Sequence, residues 1–306
     1  MTLCASVGGF QQPPTDRLLT DKNTRSKNDC HADCFMDSTT FAQFRQLVYE
    51  QSGIELGPGK EALVYGRVGK RMRTLGLTDE KAYLNHVLAD ATGDEVVHLL
   101  DAISTNVTSF FREPDHFELL QSVLTNLLRR GQNRLRIWSA ACSSGEEPYT
   151  IAMVAQEIME SMGRCPDLRI LATDISTRVL DIGRAGMYAS ERTTEIPPAL
   201  RSKYLLPRGP NGETCCVADR LQQLVTFRRL NLAQAPYPMQ GPFDVIFCRN
   251  VMIYFDKAVR TRIVREVERL LSPGGLLLIG HSESLAGIST TLAHVRPSVY
   301  RQEVEP

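Results

Sequence analysis

No charge sign dominates this 306-residue chain: Lys and Arg together number 35, and so do Asp and Glu. With no global field, electrostatic recognition of any partner has to be local. Aromatic residues make up 7% of the chain, and with zero net charge this does not favour an RNA surface, which calls for broad basic area and stacking rings. No nucleic-acid partner is expected. No stretch is apolar enough to span a bilayer, and residues 1–36 lack a basic region leading into a long apolar run. Neither membrane insertion nor secretion is indicated. The eight cysteines form no compact secreted framework, so a reducing, cytoplasmic setting fits best. Also missing are the G-x-G-x-x-G dinucleotide fingerprint and the G-x-x-x-x-G-K-[ST] phosphate loop.

What is present is 42% hydrophobic residues, enough for one large or two modest domains with proper cores. Residues 1–36 are rich in Gln, Pro, Asp, Asn, Ser and Thr and read as a flexible leader. Cys30, His31 and Cys34 lie there without a fourth ligand at a recognisable spacing, so no metal is expected. Residues 37–105 are helical in pattern: Phe41, Phe44, Leu47 and Val48 form one apolar stripe, Val64, Val68, Met72 and Leu75 a second, and Leu84, Val87 and Leu88 a third. Residues 106–131 read as a linker segment and a helix opened by Pro114 and closed by Gly131.

From 132 to 306 strands and helices alternate. Strands are expected near 134–140, 168–174, 225–230, 243–248, 275–280 and 294–301, with helices near 147–162, 176–186 and 257–271. That alternation implies a mainly parallel sheet covered on both faces. The rhythm breaks between Met187 and Val225. A short helix near 199–206, the dense turn from Pro207 to Gly212 and a strand near 214–218 suggest a small antiparallel insertion at about 204–228.

Two segments carry the chemistry. The run Ser139-Ala140-Ala141-Cys142-Ser143-Ser144-Gly145-Glu146-Glu147-Pro148-Tyr149 joins a buried strand to a helix through small residues, which let a ligand approach the backbone and the free N–H groups of the helix start. Phe243-Asp244-Val245-Ile246-Phe247-Cys248-Arg249-Asn250 ends at the same kind of rim. Glu146 and Glu147 stand where a pyrophosphate would sit. Their charge disfavours NAD or ATP and welcomes a cofactor with an ammonium and a sulfonium, namely S-adenosylmethionine.

Together with Asn106-Val107-Thr108-Ser109-Phe110-Phe111-Arg112-Glu113, Ala172-Thr173-Asp174-Ile175, Val251-Met252-Ile253-Tyr254-Phe255 and Gly280-His281-Ser282-Glu283-Ser284, these segments resemble the bacterial chemotaxis-receptor glutamate O-methyltransferases, the CheR type. The resemblance spans roughly residues 38–302 in the family's order. It implies a Rossmann-like class I methyltransferase sheet with an N-terminal all-helical receptor-recognition domain and a small antiparallel β insertion. It also implies transfer of a methyl group from S-adenosylmethionine to receptor glutamates, giving methyl esters and S-adenosylhomocysteine. The implied partners are the cytoplasmic helices of methyl-accepting chemoreceptors and, in some members, a receptor C-terminal tether peptide that adds a strand to the insertion.

The resemblance carries Asn106, Thr108, Arg112, Glu146, Glu147, Asp174, Asn231, Leu232, Arg249 and Asn250 over as cofactor-binding positions, with the choice between Glu146 and Glu147 open. Asp174 suits a ribose acceptor at a strand end, or else a cap for the helix starting near Ser176. Asn231-Leu232 sits where these enzymes meet the adenine edge, or is a polar turn. Arg249 and Asn250 lie at the ligand rim, although such an Asn also suits a helix cap. Arg112 and Tyr254 are expected to position the acceptor carboxylate, since an ionised glutamate needs no general base; the alternatives are a structural ion pair and a half-buried aromatic. His281 reads as a satisfied rim histidine. Lys60, Arg67 and Lys70 share one helix flank, either a solvated face or the positive surface that meets acidic receptor helices. Other readings are a methyltransferase for RNA or a small molecule, and a non-catalytic cofactor-binding scaffold; paired binding and turnover assays separate the last.

Overall fold

The computed structural model describes residues 36–303, so Cys30, His31 and Cys34 lie outside the described residues. The helical part begins with α1 (Ser38–Ser52), followed by α2 (Glu61–Leu75), α3 (Glu80–Ala89) and α4 (Asp94–Ile103). Asp37 starts α1 by accepting the backbone N–H groups of Thr39 (3.0 Å) and Thr40 (2.9 Å), the usual satisfaction of orphan donors. The apolar stripes meet in one core containing Phe44, Val48, Val68, Tyr83, Leu84, Val87 and Leu99. Met36, expected in the leader, is buried in that core. Leu88 departs from expectation in the other direction and is 62% exposed, because Leu84 and Val87 already fill the inward face of α3. Between helices, Glu95 accepts both Arg71 (2.8 and 2.6 Å) and the Tyr83 hydroxyl (2.9 Å), so its buried carboxylate is fully partnered.

The second part runs α5 (Asp115–Arg129), β1 (Arg134–Ser139), α6 (Glu146–Ser161), β2 (Asp167–Asp174), α7 (Thr177–Ala185), β3 (Met187–Ala189), α8 (Pro198–Tyr204), β4 (Leu205–Arg208), β5 (Thr214–Val217), α9 (Asp219–Gln222), β6 (Val225–Arg229), β7 (Phe243–Cys248), α10 (Lys257–Leu270), β8 (Leu271–Ile279), β9 (Ala293–Arg296) and β10 (Val299–Arg301). Seven strands form one sheet in the order β6-β2-β1-β7-β8-β10-β9. The pairs among β6, β2, β1, β7 and β8 are parallel, and β10 pairs antiparallel with β8 and β9. The order reverses direction at β1, so the crevice above the C-terminal ends of β1 and β7 is where an open α/β sheet binds its ligand.

The expected strand over 294–301 is two strands. Pro297 has no N–H to donate and Ser298 adopts φ 61°, so the chain turns back on itself there. The antiparallel insertion also differs in extent. Its sheet has the order β3-β5-β4, recruiting Met187–Ala189 well before residue 204, while Val225–Arg229 pairs with β2 in the main sheet. Three residues are too short a run for period-two patterning to register.

Candidate active site

The floor of the site is the turn between β1 and α6. Ala140 and Cys142 donate their N–H groups to Phe247 (2.7 Å) and Thr173 (2.9 Å), pinning the turn between the flanking strands. Gly145 caps α6 with φ 98°, and a Cβ there would lie 2.8 Å from the Tyr188 hydroxyl and 3.0 Å from the Gly183 Cα. Both backbone sign and space therefore demand glycine. Asp174, at the end of β2, is buried; one oxygen accepts Ser143 N–H (2.9 Å) and the other Ser176 N–H (3.0 Å). Ser176 itself caps α7. Asp174 thus ties two loops together on the cavity wall, with burial pushing its carboxyl up against those N–H bonds.

The two adjacent acids separate. Glu147 lines the cavity, accepts the Ser139 hydroxyl (2.7 Å) and meets Arg249 at 3.0 Å. Glu146 is the one of the pair left outside the cavity lining: its side chain is 0% exposed, accepts the Ser144 hydroxyl (2.7 Å) and pairs with Arg192. Burial raises both carboxyls, opposed for Glu147 by the Arg249 charge and Ser139, and for Glu146 by Ser144 and Arg192.

Arg249 is the hub beneath the cavity. Its guanidinium is 2% exposed, donates to Glu113 (2.9 and 3.2 Å), Glu147 (3.0 Å) and the Arg112 carbonyl, and lies over the Phe117 ring. One buried cation therefore fixes three segments that are distant in sequence. Glu113 also accepts the Asn250 side-chain amide (3.2 Å) and the His281 N–H (3.3 Å). Although burial pushes the Glu113 carboxyl up, the Arg249 charge and these bonds outweigh it and hold the group low. Asn250, at φ 56°, spends its side chain on Glu113 rather than on a helix cap.

Glu283 secures the next turn. It accepts N–H groups from Gly280 (2.6 Å), Asn250 (2.8 Å), Met252 (2.7 Å) and Ile253 (3.3 Å), fixing the segment that leads to Tyr254. In the sequence, Glu113 and Glu283 are marked only by their place in the motifs around Arg112 and His281. His281 is exposed and paired with Asp115 at 3.0 Å, as a satisfied rim histidine would be. Glu113, His116 and His281 bring ligand-type atoms within 4.8 Å of one another. Arg249 already occupies Glu113, and its charge opposes a dication there.

The helical part supplies the remaining wall. Ile54 bridges to Phe255, Glu55 N–H donates to the Tyr254 carbonyl (2.8 Å), and the Asn231 amide donates to the Gln51 carbonyl (2.8 Å). Asn231 also accepts Ala233 N–H (3.0 Å), so its side chain builds the turn beside buried Leu232. Gly53 closes α1 at φ 71°, with a Cβ there only 2.5 Å from that of Ala233. Lys60 and Arg67 line the cavity, whereas Lys70 is exposed and outside its lining. Arg67 is not a free cation: it donates to the Ile103 carbonyl and to the Thr105 hydroxyl (3.0 Å), anchoring α2 to the segment that carries Asn106 and Thr108.

One cavity thus gathers Asn106, Thr108, Arg112, Glu147, Asp174, Asn231, Leu232, Arg249, Asn250 and Tyr254, and leaves out Glu146. Arg112 donates to the Val107 carbonyl (2.9 Å) rather than to a carboxylate. The Asn106 amide nitrogen is buried without a partner. An orphaned donor and two carboxylates raised by burial are what an S-adenosyl group, with acceptors on its sugar and base and a cation at its amino-acid end, would satisfy.

Residues 39–104 match the family model of the CheR methyltransferase all-alpha domain, and residues 106–300 that of the CheR methyltransferase SAM binding domain. Chemotaxis protein methyltransferase 2 of Pseudomonas aeruginosa is 42% identical over 85% of this chain and 91% of its own length. The chemotaxis protein methyltransferase of Escherichia coli is 39% identical over 85% and 89%, and that of Borreliella burgdorferi 37% over 84% and 92%. With this cavity at the switch point of a methyltransferase sheet, the chain belongs to the CheR methyltransferase family and is an S-adenosylmethionine-dependent methyltransferase.

Proposed function

We propose that this enzyme methylates glutamate side chains on the cytoplasmic helices of chemoreceptors, forming methyl esters, and that it works in the cytoplasm. The relatives named as chemotaxis protein methyltransferases support the biological setting. The observation that carries the chemistry is Arg112, a cavity-lining cation bonded to a backbone carbonyl instead of an acid. An acceptor carboxylate would find its counter-ion there.

When bound, S-adenosylmethionine supplies an electrophilic methyl group on a sulfonium. Glu147 and Asp174 would hold its cationic and hydroxyl-bearing ends, with Asn106, Thr108 and the Asn231-Leu232 turn as the remaining polar and apolar walls. A glutamate is ionised at neutral pH, with a pKa of about 4.3 when unperturbed, so no side chain has to remove a proton. Arg112 and Tyr254 orient the carboxylate, and alignment supplies much of the acceleration. A single cation is enough, since a tighter ionic grip would stabilise the ground state and blunt the nucleophile. Lys60, Arg67 and Lys70 give α2 a positive flank toward the acidic acceptor, with Arg67 also bracing the segment ahead of Asn106. The edges of the small sheet are where an extended receptor tether would add a strand, although Pro207 removes one donor from β4.

Mass spectrometry of a receptor cytoplasmic fragment incubated with enzyme and S-adenosylmethionine should find added methyl groups on glutamates. Methylation confined to other residue types would reject the proposal.

A further inference from the structure

Large apolar side chains left in solvent are few among the described residues; two of them line the cavity and a third adjoins one of its lining residues in the chain. Val107 is 77% exposed, Ile253 55% and Leu63 41%. Leu63 and Val107 line the cavity described above, and Ile253 directly precedes its Tyr254. Scattered single residues of this kind would need no explanation, but exposed apolar side chains on the wall of a catalytic cavity and next to its Tyr254 do.

Their backbones are fixed in place. The Val107 carbonyl receives Arg112 (2.9 Å), the Ile253 N–H is held by Glu283 (3.3 Å), and Leu63 is carried on α2. Fixed backbone presenting apolar groups to water is a preorganised contact surface, which spares the ordering entropy that a mobile loop would lose on binding. Three cations, Lys60, Arg67 and Arg112, line the same cavity against a single exposed acid, Glu55, so the side nearest α2 is mainly positive. Apolar contacts interleaved with cations complement an amphipathic helix whose apolar side chains lie one turn from an acidic one.

We propose that Val107, Ile253 and Leu63 form the platform on which the acceptor helix lies, gripping apolar side chains one turn before and after the reactive glutamate as it enters beside Arg112 and Tyr254. This rests on the reading that the acceptor is a helical glutamate. It adds that selection among glutamates is made by their apolar neighbours, with basic residues accelerating encounter. The charged flank alone cannot distinguish one acidic position from another on the same helix.

The test uses the full-length enzyme with Val107→Ser and Ile253→Ser combined, and steady-state kinetics on a receptor cytoplasmic fragment. The expected result is a KM for the fragment raised about tenfold or more, with kcat at saturation and the calorimetric Kd for S-adenosylmethionine within about twofold of wild type. A parallel fragment with Ser replacing the apolar residues that flank one glutamate should lose methylation at that site selectively. If the melting temperature shows that the double variant does not fold, Val107→Thr, which keeps the side-chain shape, carries the same test. An unchanged KM in a folded variant overturns the platform, as does sedimentation showing that the same residues hold two copies of the enzyme together while KM stays fixed. Wild-type enzyme that methylates no glutamate in the fragment would instead overturn the acceptor assignment itself.

Discussion

Glu146 and Glu147 are neighbours in the chain and opposites in the fold. Successive helical residues point about 100° apart, so one acid of the pair had to leave the cavity, and Arg192 draws Glu146 out while Arg249 holds Glu147 in. Both partners come from distant segments, which is why the sequence announced an anionic site without saying which acid served it. Glu147→Gln should weaken S-adenosylmethionine binding by about 1–3 kcal/mol, the usual loss for a charge-assisted hydrogen bond. Glu146→Gln should leave affinity near wild type; calorimetry on both variants decides the order. The raised Glu147 carboxyl gives a pH signature. Such a group favours the protonated empty protein, so its stabilising contribution is present below its unfolded pKa and lost as pH rises through its folded one. A bound ammonium lowers that folded value. Binding should therefore release protons at mildly acidic pH, weaken as pH falls, and show no proton release above the window; titrations in buffers of different ionisation enthalpy read this directly.

At the scale of elements, the turn from Arg249 to Tyr254 is positioned by carboxylates outside it. Glu283 accepts four backbone N–H groups around this turn, and Glu113 restrains Arg249 and Asn250. Glu283→Ala should lower kcat about tenfold or more, equivalent to about 1.4 kcal/mol of barrier, while the cofactor Kd moves little. Glu283→Gln should recover part of the loss, since its amide offers one accepting oxygen where the carboxylate offers two. Equal losses of kcat and cofactor affinity would mean that the turn is needed for binding instead. The strands flanking this turn were legible because β1, β2, β7 and β8 are apolar runs bounded by breakers. Met187–Ala189 was not: its partner is β5, and pairing between short strands is a tertiary fact. The same holds for the Glu283 contacts, which join motifs that periodicity treats separately.

At the scale of the whole molecule, the helical and sheet parts share one cavity. Tyr49 donates to Asp256 (2.5 Å), and the bridge from Ile54 to Phe255 continues that seam. The helical stripes and the alternation of strand and helix predicted both parts, but not that Lys60 and Leu63 would join the cavity wall, which depends on how α2 is set against the segment after α4. Because the chain has no net charge, acceptor attraction must come from such local groups. Lys60→Glu with Lys70→Glu should lower kcat/KM for a receptor fragment most at low salt, and the gap from wild type should narrow as screening shortens electrostatic reach to about 8 Å near physiological ionic strength. A gap independent of salt would point to lost contacts in place of lost steering. The bond that is made identifies the acceptor. Tritiated methyl transferred from S-adenosylmethionine to a receptor fragment should be released as volatile methanol on mild base treatment, as a glutamate ester requires; a base-stable label, or none on the receptor, would contradict a glutamate acceptor.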